Sequence, residues 1–192
     1  MVTVNAPGRW VGALGLSSFL IGIAACGTTP QTATTLVAQG LRAQLSGDVS
    51  TAENAYQQAI NIDRNNAIAH YDLGTVYDKQ GNTALAVEEY RASLLINPNF
   101  ADALFNLAVD TTSTAPTGAA QLYLKVLTIQ PTFAAAWLNV GFILQSEGKM
   151  SEARQDWAKA VALDASLASR VPTPAPSPSV TGTPSSSPTP KP

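Results

Sequence analysis

Cysteine occurs once in these 192 residues, and histidine once. A single thiol excludes a disulfide within the chain, and one imidazole with no companion Cys or His cannot complete a zinc set. Charge is scarce as well: 11 Lys and Arg stand against 13 Asp and Glu, for a formal net charge of −2. The cations are scattered with no clustered stripe, so the electrostatic footprint of a nucleic-acid binder is missing and no nucleic-acid partner is expected. There is no Gly-rich phosphate loop, no paired His and carboxylate metal motif, and no nucleophile, base and orienting group at a readable spacing. Neither an enzyme nor a cofactor is expected.

What is present is repetition. The stretch 67–100, AIAHYDLGTVYDKQGNTALAVEEYRASLLINPNF, matches its flanks at a spacing of about 34 residues, once before and twice after. Apolar residues recur at helical spacing on both sides of Gly81-Asn82: Leu73, Val76 and Tyr77 before it, Leu85, Val87, Tyr90, Leu94 and Ile96 after it. Each copy therefore reads as two short antiparallel helices. Neither is long enough to stand alone in water, and a helix pair cannot enclose its own apolar stripe, so the copies must stack.

The copies align position by position. The first small site is Gly40, Gly74, Ala108 and Gly141; the second is Ala52, Ala86, Ala119 and Ala153. An aromatic follows at Tyr56, Tyr90, Tyr123 and Trp157, and the mid-repeat turn falls at Gly47-Asp48, Gly81-Asn82 and Gly148-Lys149. Small residues permit close helix crossing, since the interaxial distance follows the side chains at the contact. In this pattern the sequence resembles the tetratricopeptide repeat family over 33–167. The resemblance implies an all-α solenoid of four helix-turn-helix repeats: 33–66, 67–100, 101–133 (one residue short and the most divergent) and 134–167.

Local signals complete the repeats. Ser50 and Glu53 have capping-box spacing near the start of a second helix, and Asn65 is a candidate cap for the first helix of the second repeat. His70 falls in a slot facing neighbouring helices where the family prefers a large apolar residue; a packed histidine is expected there, with a catalytic or pH-sensing one as the competing reading. The third repeat turns through Thr111-Thr112-Ser113-Thr114-Ala115, where hydroxyls and branched side chains weaken a helix end. Pro116 can open the next helix at its first position. No separate capping helix is evident after 134–167. Either the last helix runs on to Ser169, or its outer face, bordered by Trp157, Val161 and Leu167, is covered by another copy of the chain, and a homo-oligomer is expected on that second reading.

Two further segments flank the array. The apolar run Trp10 to Ala25 is shorter than the roughly 20 residues that span a bilayer and suits a secretory signal better than a spanning helix. Ile23-Ala24-Ala25-Cys26 directly follows and resembles the bacterial lipobox. That resemblance implies a signal sequence over 1–26, lipidation of Cys26 and anchoring on the outer side of a cytoplasmic membrane, with an uncleaved single-pass anchor or a secreted protein as alternatives. The tether 27–32 reaches about 20 Å at full extension, which would hold the array near the membrane. After it, 168–192 is rich in Pro, Ser and Thr and is expected to be disordered. As a polyproline-like spacer it could reach about 70 Å, which supports a tether between membrane and cell wall as the alternative function.

The resemblance also implies where a partner would sit. In the family, the groove is lined by the first helix of each repeat at its fifth and ninth positions, here Val37 and Leu41, Tyr71 and Thr75, Phe105 and Val109, Leu138 and Phe142. That stripe is largely apolar and suits a peptide or protein segment anchored by aliphatic and aromatic side chains. The Lys and Asn with which some members clamp a carboxylate terminus are missing at these places. The chain is therefore expected to be a non-enzymatic protein-interaction scaffold.

Overall fold

The computed structural model describes residues 31–172. The leader, Cys26, most of the tether and the chain after Pro172 lie outside the described residues. Within them, eight α-helices follow one another: α1 (Ala33–Ser46), α2 (Val49–Ile62), α3 (Ala67–Lys79), α4 (Thr83–Ile96), α5 (Ala101–Thr111), α6 (Pro116–Ile129), α7 (Ala134–Ser146) and α8 (Met150–Leu163), with a 3-10 turn at Ala165–Arg170. Each odd helix packs on the even helix that follows it, and each even helix packs on the next odd one. The result is an all-α solenoid of four helix pairs. None of the described helices is long and apolar enough to cross a membrane.

The bends follow from local chemistry. Gly47, Gly81 and Gly148 take φ of 81°, 79° and 78°, the left-handed region in which a side chain is strained. These are the turns of three repeats, and the third repeat turns without one. There α5 stops at Thr111 and Pro116 opens α6 as anticipated. Hydroxyls of Thr111 and Thr112 bond back to the carbonyls of Leu107 and Ala108, both at 2.6 Å, and so occupy acceptors of the terminal turn. At the ends of the first, second and fourth helix pairs, Asp63, Asn97 and Asp164 each accept the backbone N–H two residues on, at 3.0, 3.2 and 2.9 Å, which closes the same bend three times.

Two caps differ from expectation. The α2 cap is Asp48, whose carboxylate accepts from Thr51 N–H at 3.1 Å and from the Ser50 hydroxyl at 3.0 Å. Ser50 thus serves the cap without being it. At α3 the cap is Asn66, accepting from Ala69 N–H at 3.0 Å, while Asn65 belongs to the bend set by Asp63.

Tyr56, Tyr90 and Tyr123 are buried at the centre of their helix pairs. Gly40 and Gly74 make room for them: an added Cβ would lie 2.6 Å from the Tyr56 ring and 2.7 Å from that of Tyr90. Gly141 does the same for Trp157. The small-residue signal thus reports a ring lying against the backbone of the facing helix.

The end of the array is closed differently from either reading of the sequence. α8 stops at Leu163, and the 3-10 turn folds Leu167 onto Leu138, Ala153, Trp157 and Ala160. Leu167 takes the place that Phe100 and Phe133 hold in the preceding repeats. Trp157 and Leu167 are therefore buried by the chain itself, leaving Val161 half-exposed beside an apolar cleft of about 250 Å³ lined by Arg154, Trp157, Ala158, Val161, Val171 and Pro172.

Candidate functional site

The four first helices lie side by side, and the contacts between them define one face. Gln44 on α1 donates to Thr75 on α3 at 3.0 Å. Farther along, the Tyr90 hydroxyl donates to Asp78 on α3 at 2.5 Å and accepts from Asn106 on α5 at 3.3 Å. The Tyr123 hydroxyl, in turn, meets Thr112, the residue that caps α5, at 3.4 Å and accepts from Asn139 on α7 at 3.0 Å. A buried ring in each of two pairs thus sends its hydroxyl to the junction between successive first helices. Tyr56 begins the series by donating to Gln44 at 3.0 Å.

On this face the fifth and ninth positions behave unequally. Leu41 and Val109 are 48% and 47% exposed, and they are joined on the same helical surface by Leu45 and Ile68. Thr75, Val37 and Phe142 are half-buried. Tyr71 and Phe105 are half-buried too, but their rings are engaged: Tyr71 lies 4.8 Å from Phe100 and 5.9 Å from Tyr90, and Phe105 lies 4.8 Å from Phe133 and 5.6 Å from Tyr123. They seal the seams between repeats. Leu138 does not line the groove at all. It is 0% exposed, because Leu167 packs where Phe100 and Phe133 pack against Tyr71 and Phe105.

The structure also brings forward residues that the apolar pattern passed over. Asp72 sits on α3 next to Tyr56 and Tyr71, and burial lifts its carboxyl to about 6. Asp110 on α5 reaches about 6 as well, first through burial and then through the neighbouring Asp78 carboxylate. One of its oxygens, Oδ2, is buried, and the protonated carboxyl hydrogen-bonds Asp78. Asp102, in the first turn of α5, lies close enough to Tyr71 to push that phenol upward after burial has done so. Among the described residues, none of these four carboxylates pairs with a Lys, Arg or His within 4.0 Å; the ion pairs present join His70 to Glu89, Lys149 to Glu147 and Lys159 to Asp156. The sequence carried part of this signal, with polar residues at the sixth position of three repeats (Asp72, Asn106 and Asn139, against Ala38 in the first) and at the twelfth of all four (Gln44, Asp78, Thr112 and Gln145); Asp102 and Asp110 fall at neither.

His70 has a structural assignment. Its Nδ1 lies 2.7 Å from Glu89 Oε2 and its Nε2 lies 3.3 Å from the Arg64 carbonyl. Trp137, at the same repeat position, donates Nε1–H to the Pro131 carbonyl at 2.9 Å. Both side chains reach back to the bend of the preceding repeat, so the histidine does at one junction what the indole does at another. Among the described residues no group of three or more His, Cys, Asp or Glu could hold a metal ion.

Comparison with known proteins agrees with this architecture. A family model described as TPR repeat matches residues 45–81, and one described as Tetratricopeptide repeat matches 67–100. A search of curated proteins finds no match. Among solved structures, that of MamA is 23% identical, with 71% of this chain and 81% of that chain covered and a TM-score of 0.64. YrrB, described as a TPR protein with an unusual peptide-binding site, is 21% identical, with 69% of each chain covered and a TM-score of 0.60. The first TPR of Spaghetti, bound to an HSP90 peptide, is 18% identical, with 60% of this chain and 93% of that chain covered and a TM-score of 0.57. These likenesses establish a shared fold.

Proposed function

We propose that this tetratricopeptide-repeat protein is a non-enzymatic scaffold that takes up a peptide or protein segment along the face built by α1, α3, α5 and α7. The observation that carries this reading is the exposure of Leu41, Leu45, Ile68 and Val109 on the face of the first helices, because exposed apolar residues on the surface that a solenoid's curvature creates are candidates for partner contact. The peptide held by the Spaghetti domain supports it by analogy of fold. Tyr71, Phe105 and Leu138 hold the array together, so the test uses the exposed positions. Photo-crosslinking from position 109 in cells, followed by identification of the trapped protein, should give a product that disappears when Leu41→Ser and Ile68→Ser are added to the crosslinking chain while helicity is kept. An equal yield from that variant would overturn the reading. Deletion of 173–192 should leave the product intact, whereas a tether between membrane and wall would lose its role.

We further propose that Cys26 carries the lipid anchor that places the array on the outer side of a bacterial cytoplasmic membrane. The reading rests on a lone cysteine behind an apolar leader and Ile23-Ala24-Ala25. More than one acyl chain is needed for stable anchoring. Labelling with a fatty-acid probe should be abolished by Cys26→Ala; unchanged labelling, or full recovery of the wild-type chain in the soluble fraction, would refute it.

A further inference from the structure

The binding face is not uniformly apolar, and its charge is one-sided at the centre. The first helices carry Asp72, Asp78, Asp102 and Asp110 against Arg42 and Lys79, and α7 carries no charge. Two of the four aspartates meet where α3 packs beside α5: Asp78 accepts from the Tyr90 hydroxyl and Asp110 stands beside Asp78, while Asp102 stands near Tyr71 at the other end of α5. Ile68 and Val109 are exposed on the same two helices. Asp78 and Asp110 face each other, share a hydrogen bond when one of them is protonated and repel when both are ionised, an arrangement that a bound cation would relieve.

Resting on the groove reading above, we infer that the segment taken up is cationic and apolar by turns: a Lys or Arg side chain seats on the Asp78 and Asp110 pair while its aliphatic neighbours cover Ile68 and Val109. Charge complementarity selects this occupant. An acidic segment would meet four like charges, and a neutral one would leave the repulsion between Asp78 and Asp110 uncompensated. A guanidinium has the better geometry, because its planar fork can bridge two carboxylates. The carboxylate-terminated ligands that other repeat proteins of this fold clamp would be repelled here.

The test titrates the full chain with three synthetic amphipathic peptides identical except at the polar positions, which are Lys, Gln or Glu. The Lys peptide should bind about tenfold or more tightly than the Gln peptide, equivalent to at least one cation–carboxylate contact, and the Glu peptide more weakly still. Added salt should narrow the difference. In Asp78→Asn/Asp110→Asn the Lys and Gln peptides should come within about threefold of each other, while Glu88→Gln on the outer helix α4 should change nothing. If the double variant loses its helical circular dichroism, Asp110→Asn alone is used. Equal binding of the three peptides would overturn the cationic preference and leave the groove reading standing. Absence of Lys-peptide binding, or the same loss in Glu88→Gln, would overturn the inference as well.

Discussion

The Tyr90 hydroxyl donates to Asp78 Oδ2 at 2.5 Å and accepts from Asn106 Nδ2 at 3.3 Å. One buried phenol on α4 therefore joins α3 of its own repeat to α5 of the next, on the face built by the first helices. Burial first, and then the hydrogen bond to Asp78, push the phenol above its ordinary range, so it remains a donor at every pH the protein meets.

Removing that donor separates packing from polarity. Tyr90→Phe keeps the buried ring against Gly74 but strips the bonds to Asp78 and Asn106. Loss of a hydrogen bond to a charged group costs about 1.5–3 kcal/mol. Urea denaturation should show a shift of that size with the slope unchanged.

The glycine that faces the ring is equally specific. A Cβ at Gly74 would stand 2.7 Å from Tyr90 Cε1, and the ring is fully buried and cannot swing aside. Gly74→Ala should lower stability by about 1–3 kcal/mol, although alanine is the better helix former. A stabilised variant would show that the ring has room to move.

Two leucines assigned to one stripe should part company. Leu138→Ala empties a site with 0% exposure between α7 and the terminal 3-10 turn and should cost about 2–5 kcal/mol. Leu41→Ser, on exposed surface, should stay within about 0.5 kcal/mol of wild type and act on partner binding instead. Thermal melts of the two variants decide it.

Acidification should stabilise the array over part of the pH range. Asp72 and Asp110 rise from 3.8 to about 6 on folding, so between these values the folded state holds more protons than the unfolded one. By linkage, their contribution is complete below the unfolded value and is lost as pH rises through about 6. Asp72 is flanked by Tyr56 and Tyr71, and Asp110 by Asp78, Tyr90 and Tyr123. Asp48 and Asp164, which are lowered by their hydrogen bonds, act only at more acidic pH. The melting temperature should therefore be higher at pH 5 than at pH 7, and Asp72→Asn/Asp110→Asn should flatten that difference.

The repeat length, the four helix pairs, the left-handed glycine turns and the buried Tyr and Trp positions were all readable along the chain, because each is a local pattern restated in every copy. Where a single copy had to be interpreted alone, the reading slipped by a residue: the cap fell on Asn66 instead of Asn65, and on Asp48 instead of Ser50. Both slips have the same cause, since several short polar residues in a row can each supply the capping oxygen and only backbone dihedrals choose among them.

The one-dimensional order of residues determined that helix pairs must stack, since no pair can hide its own apolar stripe. It could not determine which members of the stripe remain open once stacking is complete. Leu138 closes because Leu167 returns to cover it, Tyr71 and Phe105 turn into seams because Phe100 and Phe133 arrive from the bends that follow, and Asp78 meets Asp110 across two helices. Each of these outcomes depends on a contact between residues distant along the chain, whose burial and pairing exist only in the assembled solenoid.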